Sequence, residues 1–274
     1  MGKIKFIILC LIAVILPVTW ALFVEPNMLV VKKVDLTVPK WHKEFNSLKI
    51  VVLSDIHVGS PFINYSKLDT IVKITNKEKP DLIFLLGDYL FQGVIGDNFI
   101  KPNLVIDKLG NLKATHGVIA VLGNHDWWYD CKKYLENKKI TVLENKAVKI
   151  NYAGKTLWVA GVGDLWTMPV NITDAIKNIK SNNPIILLSH NPDIFPIVPP
   201  GISLTIAGHT HGGQVYVPFM GRIVTPSDYG KRYATGHIVE SNRHLFVSSG
   251  IGTTILPVRF GTPPEIVVLN IKDK

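Results

Sequence analysis

The sequence predicts an α/β domain, either a central β-sandwich with flanking helices or a doubly wound sheet, behind one apolar N-terminal helix. Three observations predict it. The nineteen-residue run Phe6–Val24 carries no charge. Beyond it, short apolar runs of strand length alternate with stretches of helical spacing, then give way to a β-rich second half. Polar clusters rich in Asp and His stand directly after five of those apolar runs.

As a helix, Phe6–Val24 would rise about 28 Å, close to the hydrocarbon thickness of a bilayer. Lys3 and Lys5 precede it, and Pro17 would kink a membrane helix without breaking it. This reading makes residues 1–24 a single-pass anchor in the cell membrane, with the signal-anchor helix at 6–24. The rival is a cleaved signal peptide, for which Thr19-Trp20-Ala21 makes a poor cleavage site and the run is too long. Lys32, Lys33, Lys40 and Lys43 follow the span, so basic residues at its two ends do not choose the membrane face.

The remaining composition is that of an ordinary globular chain. At 47% hydrophobic and 19% charged residues, the 274-residue protein is neither disordered nor fibrous. Its mean hydropathy of +0.24 owes much to the N-terminal run. Two cysteines, Cys10 and Cys131, exclude a disulfide scaffold and a Cys-rich zinc module. Thirty basic against 21 acidic residues give +9, which favours an anionic partner (phosphorylated substrate, acidic lipid or nucleic acid) without choosing among them.

Residues 25–47, with Pro26, Pro39 and mixed charge, read as a linker and entry segment, and 48–274 as one domain. Lys49–Leu53 fits a buried strand. Ser66–Lys79 has helical spacing through Leu68, Ile71, Val72 and Thr75, with Ser66 and Asp69 as a capping-box-like start. Pro80-Asp81 ends that helix, and Leu82–Leu86 is a second buried strand. A helix around Leu104–Leu112 and a strand at Val118–Leu122 repeat the alternation. After Ile140 come short strands at Ala147–Asn151, Thr156–Ala160, Ile185–Leu188, Ser203–Ile206, Gln214–Val217, His244–Val247 and Ile266–Ile271, interrupted by a helix at Asn171–Lys180. No repeat or composition shift marks a second domain.

The chemistry sits where strands end. Ser54-Asp55-Ile56-His57 follows Ile50–Leu53, and Gly87-Asp88 follows Leu82–Leu86. Gly123-Asn124-His125-Asp126, Ser189-His190-Asn191 and Gly208-His209-Thr210-His211 stand in the same relation to their own runs. Carboxyl ends of strands in α/β sheets face the ligand crevice, so these clusters can converge. Five of the nine histidines fall here. Carboxylates, an Asn carbonyl and imidazoles without thiolate suit Mn, Fe, Zn or Mg. In an extended segment, Asp-x-His puts both ligands on one side.

The ordered set resembles the calcineurin-like metallophosphoesterases, whose pattern runs D-x-H, G-D, G-N-H-[D/E], H and G-H-x-H. The resemblance covers the chain from about Leu48 onward and implies a two-sheet α/β sandwich with two divalent metal ions, here Mn, Fe, Zn or Mg. Carried over by position, Asp55, His57 and His211 would hold one metal, Asn124, His190 and His209 the other, and Asp88 would bridge them. His125 would act on the phosphoryl charge or the leaving oxygen, oriented by Asp126. Metals so paired activate water and clamp a phosphoryl group. The pattern departs from the longer G-D-x-x-D form, because Phe91 stands where the second acid would be.

Leu53–His57, Val121–Trp128, His190–Asp193 and Gly208–Val217 further resemble a bacterial membrane-anchored branch. Some members are assigned as UDP-2,3-diacylglucosamine hydrolases of lipid A synthesis, others as phosphodiesterases. The expectation is therefore a membrane-anchored phosphodiesterase or pyrophosphatase acting on a phosphate ester, lipid-linked in one version. Phosphomonoesterase, nuclease and non-catalytic scaffold remain rivals. No arginine-rich stretch or aromatic ladder suggests nucleic acid, and no protein partner is predicted. Trp127, Trp128 and Tyr129 are candidates for a substrate groove or for helix packing. Tyr229, Lys231, Arg232 and Tyr233 are candidates for a phosphate-reading loop or a solvated one. Gly161-Val162-Gly163 and Gly250-Ile251-Gly252 read as turns, and Cys131 as a helix residue with no nucleophilic role.

Overall fold

The computed structural model describes residues 2–91, 98–180 and 182–273. In chain order its helices and strands are α1 (Gly2–Thr19), β1 (Val30–Val38), β2 (Lys49–Leu53), α2 (Tyr65–Lys77), β3 (Leu82–Leu85), α3 (Pro102–Leu109), β4 (Val118–Ala120), α4 (Cys131–Asn137) and β5 (Thr141–Val142). The second half adds β6 (Lys146–Tyr152), β7 (Lys155–Gly161), α5 (Ile172–Ile176), β8 (Ile185–Leu188), β9 (Leu204–Ala207), β10 (Tyr216–Val217), β11 (Gly221–Arg222), β12 (Gly236–Glu240), β13 (Arg243–Val247) and β14 (Glu265–Asp273).

Two six-stranded sheets result, in the orders β1-β14-β2-β3-β4-β5 and β12-β13-β9-β8-β7-β6. The strands β2 to β5 run parallel, as do β7, β8, β9 and β13. This settles the sequence alternatives in favour of the sandwich. Side-chain alternation shows why. Ile50 and Val52 of β2 join Phe84, Ile186, Leu204 and Ile206 in a core between the sheets. Val51 and Leu53 point the other way, into a second core with Leu68 and Ile71 of α2, Val105 and Ile106 of α3, and Leu135 of α4. On the far side, Leu187 and Leu245 pack with Ile172 of α5 and Phe195. Strands this uniformly apolar have to be covered on both faces.

The segment 25–47, expected to be a linker, carries β1, which pairs in parallel with β14 along nine residues. Its signal was masked because it is an edge strand. Lys32, Lys33 and Asp35 interrupt the apolar pattern, and only Leu36 and Val38 are buried. The cap of α2 also differs from the expected one. Asn64, not Ser66, accepts from the Lys67 N–H, while Asp69 pairs with Lys108 of α3. The expected helix at 171–180 shortens to five residues capped by Asn171.

Helix α1 starts ahead of the apolar run and continues through a π-turn (Trp20–Val24) and a 3-10 turn (Glu25–Asn27). The stretch Gly2–Asn27 is long and apolar enough to cross a membrane, and none of the residues of α1 is buried. Its end is fastened to the body. The Ala21 carbonyl accepts from Arg259 N–H at 3.0 Å, and the Glu25 carboxylate accepts from the N–H groups of Gly261 and Thr262. Arg259 itself is fully buried, and its guanidinium donates to the carbonyls of Ser249, Gly252 and Thr262.

Phe84 is fully buried where the sheets face each other. A Phe84→Ala variant should lose about 3–5 kcal/mol, read as a lowered denaturant midpoint at unchanged slope. A loss under about 1 kcal/mol would contradict a close-packed seam between the sheets.

Candidate metal centre

Five of the parallel strands, from both sheets, deliver their polar clusters to one place. Asp55 and His57 follow β2, Asp88 follows β3, Asn124 and His125 follow β4, His190 follows β8, and His209 and His211 follow β9. Turning sharply off a strand requires unusual backbone. Asp55, His57, Asp88, His209 and His211 all have φ between 47° and 67°, the left-handed region that ordinary residues avoid. Two glycines make room: a Cβ on Gly87 would overlap Gly123, and one on Gly208 would overlap Ser54.

Asp55, His57 and His211 form one group of converging ligand atoms. His57 Nε2 lies 3.1 Å from His211 Nε2, which lies 3.6 Å from Asp55 Oδ1. Asp88, His190 and His209 form a second, with His190 Nε2 at 3.1 Å from His209 Nδ1 and 3.4 Å from Asp88 Oδ2. Asn124 Oδ1 joins that group at 3.2 Å from His190 Nε2. Asp88 reaches both: Oδ2 is 3.5 Å from His57 Nε2, while Oδ1 accepts from the His125 N–H. The carboxylate of Asp55 is held by the Ser54 hydroxyl and the His209 N–H.

This donor set fits divalent cations. Ring nitrogens and carboxylate oxygens aim at the same small volumes, and a single proton can satisfy only one pair. His190 shows the orientation directly: its Nδ1–H donates to Leu86 O at 2.8 Å, so Nε2 turns its lone pair toward Asn124, His209 and Asp88. The far nitrogens of His57, His209 and His211 are buried without partners among the described residues. Burial pushes the His57 and His209 imidazoles down to about 3, and it holds His211, beside His57, well below the usual range. Rings kept neutral in this way are ready ligands. Burial also raises Asp55 to about 6, and the charge of Asp88 adds to the shift. For Asp88 burial is outweighed by the facing His190, His57 and His125, which hold its carboxyl well below the usual range. His190 is raised, because Asp88 and Asp55 overcome its burial. A cation would stand where that extra proton sits.

His125 is the open member of the cluster. Its side chain is 23% exposed, and Nε2 lies 4.0 Å from Asp88 Oδ2. The expected orientation of His125 by Asp126 is not what the geometry contains. The buried Asp126 carboxylate accepts instead from the N–H groups of Asp88, Gly123 and Tyr89, at 2.7–2.9 Å, and His125 Nδ1 has no partner among the described residues. Asp126 thus holds the two strand-end turns together. Burial and the neighbouring Asp88 raise its pKa to about 7.

The weaker candidates separate. Trp127 and Trp128 stack on each other and are about half exposed, so they are not packed on a helix face. Arg232 of the Tyr229–Tyr233 loop pairs with Glu240, and Tyr233 is buried with its hydroxyl donating to the same carboxylate. Arg232 and Tyr233 are therefore held by internal pairs, while Lys231 of the same loop is exposed and reaches the Met220 carbonyl. Cys131 is buried on α4, and burial with the nearby Asp126 drives its thiol far up, consistent with an inert residue. Sequence reasoning missed Asp164 and Trp166. Trp166 sets its ring edge-on to His209 at 4.2 Å, and Asp164 accepts from the Trp166 and Thr167 N–H groups. The signal was present, since Gly163-Asp164 follows the apolar run of β7 as the other clusters follow theirs.

Residues 48–213 match the family described as calcineurin-like phosphoesterase. The chain belongs to that family, whose members are metal-dependent phosphoric ester hydrolases. The uncharacterised metallophosphoesterase YkuE of Bacillus subtilis is 32% identical over 259 residues, covering 92% of this chain and 89% of that protein. Phosphodiesterase YaeI of Escherichia coli is 32% identical over 230 residues, covering 81% and 82%. A zebrafish (Danio rerio) transmembrane protein with metallophosphoesterase domain is 28% identical over 264 residues, covering 88% and 57%.

Replacing Asp126 by Ala would leave three buried N–H groups without an acceptor, at about 1–3 kcal/mol each. Asp126→Ala should lower the melting temperature and the bound metal together, and Asp126→Asn, which keeps one carbonyl, should lower both less. Equal behaviour of wild type and Asp126→Ala in both measurements would refute the assignment.

Proposed function

We propose that this protein is a membrane-anchored phosphodiesterase with a binuclear divalent-metal centre, cleaving a phosphate ester or diphosphate by attack of water. The observation that carries the reading is Asp88, whose Oδ2 stands between the His57 and His190 groups, where a bridging carboxylate is needed. Asp55, His57 and His211 would hold one metal, and Asn124, His190 and His209 the other. Mn, Fe, Zn and Mg all suit these ligands. When bound, the metals supply activated water and charge neutralisation on the phosphoryl group.

The chain's own residues do the rest. Ser54 and the His209 N–H orient Asp55, and Leu86 orients His190. His125, the exposed ring of the cluster, is placed to hand the proton on Nε2 to the leaving oxygen. Asp126 keeps the Asp88 and Gly123 turns in register beneath it. The named activity of the YaeI relative supports a diester substrate. The exposed apolar α1 and the named character of the zebrafish relative support anchoring. UDP-2,3-diacylglucosamine is the lipid-linked diphosphate that this reading places first in a substrate panel beside phospholipids and simple diesters.

His125→Ala should retain metal by elemental analysis while kcat on bis(p-nitrophenyl) phosphate falls roughly 10²–10⁴-fold. Asp88→Ala should lose metal as well as activity. If His125→Ala lost metal, the ring would be a ligand and the proton-transfer role would fail. Chelation should abolish turnover and Mn should restore it. A chain extracted from membranes by salt or alkaline wash would overturn the anchor.

A further inference from the structure

An apolar groove of about 260 Å³ opens beside the metal cluster, lined by His211, Ile223, Val224, Ile255, Leu256 and Val258 among others. Four of its aliphatic side chains, Ile223, Val224, Ile255 and Leu256, are more than half exposed. Apolar exposure concentrated in one place marks a contact site. The hairpin of β10 and β11 adds Phe219 and Met220, fully or largely exposed at its tip. The groove is prebuilt. Gln214 donates to the carbonyls of Thr254 and Leu256 and accepts from the Thr254 N–H, and Arg259 ties down the chain beyond.

Two contacts set its position. The lining includes His211, a member of the Asp55 group. The wall at Ile255–Val258 runs directly into Arg259, whose N–H is bonded to Ala21. Ala21 lies inside the charge-free run, about one helical turn before its end at Val24. A bilayer crossed by α1 therefore has its surface at the level of this wall. The groove therefore joins that level to one residue of the metal cluster, His211.

We propose that the groove receives a hydrocarbon chain of a phosphate ester drawn from the bilayer, with the ester's phosphoryl group at the Asp55 and Asp88 clusters. The proposal rests on the membrane-anchored phosphoesterase reading above and names its substrate class: an amphiphile with phosphorus and hydrocarbon within one groove length. A water-soluble diester would gain nothing from an apolar wall at bilayer height. The volume suits one chain segment, short of the space taken by a drug-sized ligand.

The test uses the full chain, loaded with Mn, in phosphatidylcholine nanodiscs. Methyl, hexyl and dodecyl phosphate compete against hydrolysis of bis(p-nitrophenyl) phosphate. Each methylene buried in the groove should tighten inhibition, up to roughly fourfold at full burial, so hexyl phosphate should inhibit at least tenfold more strongly than methyl phosphate. In Leu256→Glu and Ile255→Glu, both exposed enough to fold, this ratio should drop at least fivefold. Partitioning into the nanodisc is common to all three proteins, so the difference isolates the groove. Equal inhibition by all three alkyl phosphates, or an unchanged ratio in both variants, would overturn the proposal. If the wild type hydrolyses no diester, the phosphoesterase reading fails separately. Calorimetric binding of the same alkyl phosphates to wild type and variants then decides the groove by the same ratio.

Discussion

Two carboxylates and four imidazoles crowd into one buried space, and the rest of the molecule is arranged around the cost of keeping them there. Each group alone would prefer water or a different protonation state. The two sheets supply the counterforce. Their shared core fixes the gap between β2–β4 and β8–β9, so that side chains from opposite sheets meet within about a hydrogen-bond length. Five residues of the cluster accept a left-handed backbone, which costs of order 1–3 kcal/mol each and persists only under surrounding constraint. A bound cation would return part of that cost, coupling metal occupancy to stability.

The interior strands and the convergence of the polar clusters were legible because one physical rule governs both. A strand buried on two faces must be a short apolar run, and its first polar residue marks where it leaves the core. β2 and β8 fall where their runs begin and end. The same rule hides what lies at the edge. β1 is paired on one side only, so Lys32, Lys33 and Asp35 dilute its pattern into something resembling a linker. Partnerships across long sequence distances are equally silent. The resemblance gave Asp126 the role of orienting His125, yet its carboxylate turns inward to the N–H groups of Asp88 and Tyr89. Arg259 carried no motif at all, and its importance appears only once Ser249, Gly252 and Thr262 are seen to share it.

Position 91 illustrates how a departure from a motif is absorbed. Where a longer pattern has a second acid, Phe91 sets its ring edge-on to His57 at 5.8 Å. The apolar substitute packs against His57 without supplying charge, and His125 Nδ1 is left without a partner among the described residues. With 23% of its side chain exposed, His125 is the most open ring of the five, which suits the proton-transfer role proposed for it.

The junction between α1 and the body has a mechanical meaning. Only Met28 and Leu29 separate the last helical turn from β1, and Glu25 is already bonded to the far end of the chain at Gly261 and Thr262. A flexible leash would let a domain sweep a volume that grows with the number of free residues. Here the reach is nearly zero. The site stands at a set height and heading above the end of the helix, like a tool fixed to its post, and samples its surroundings only as fast as the post itself drifts and turns.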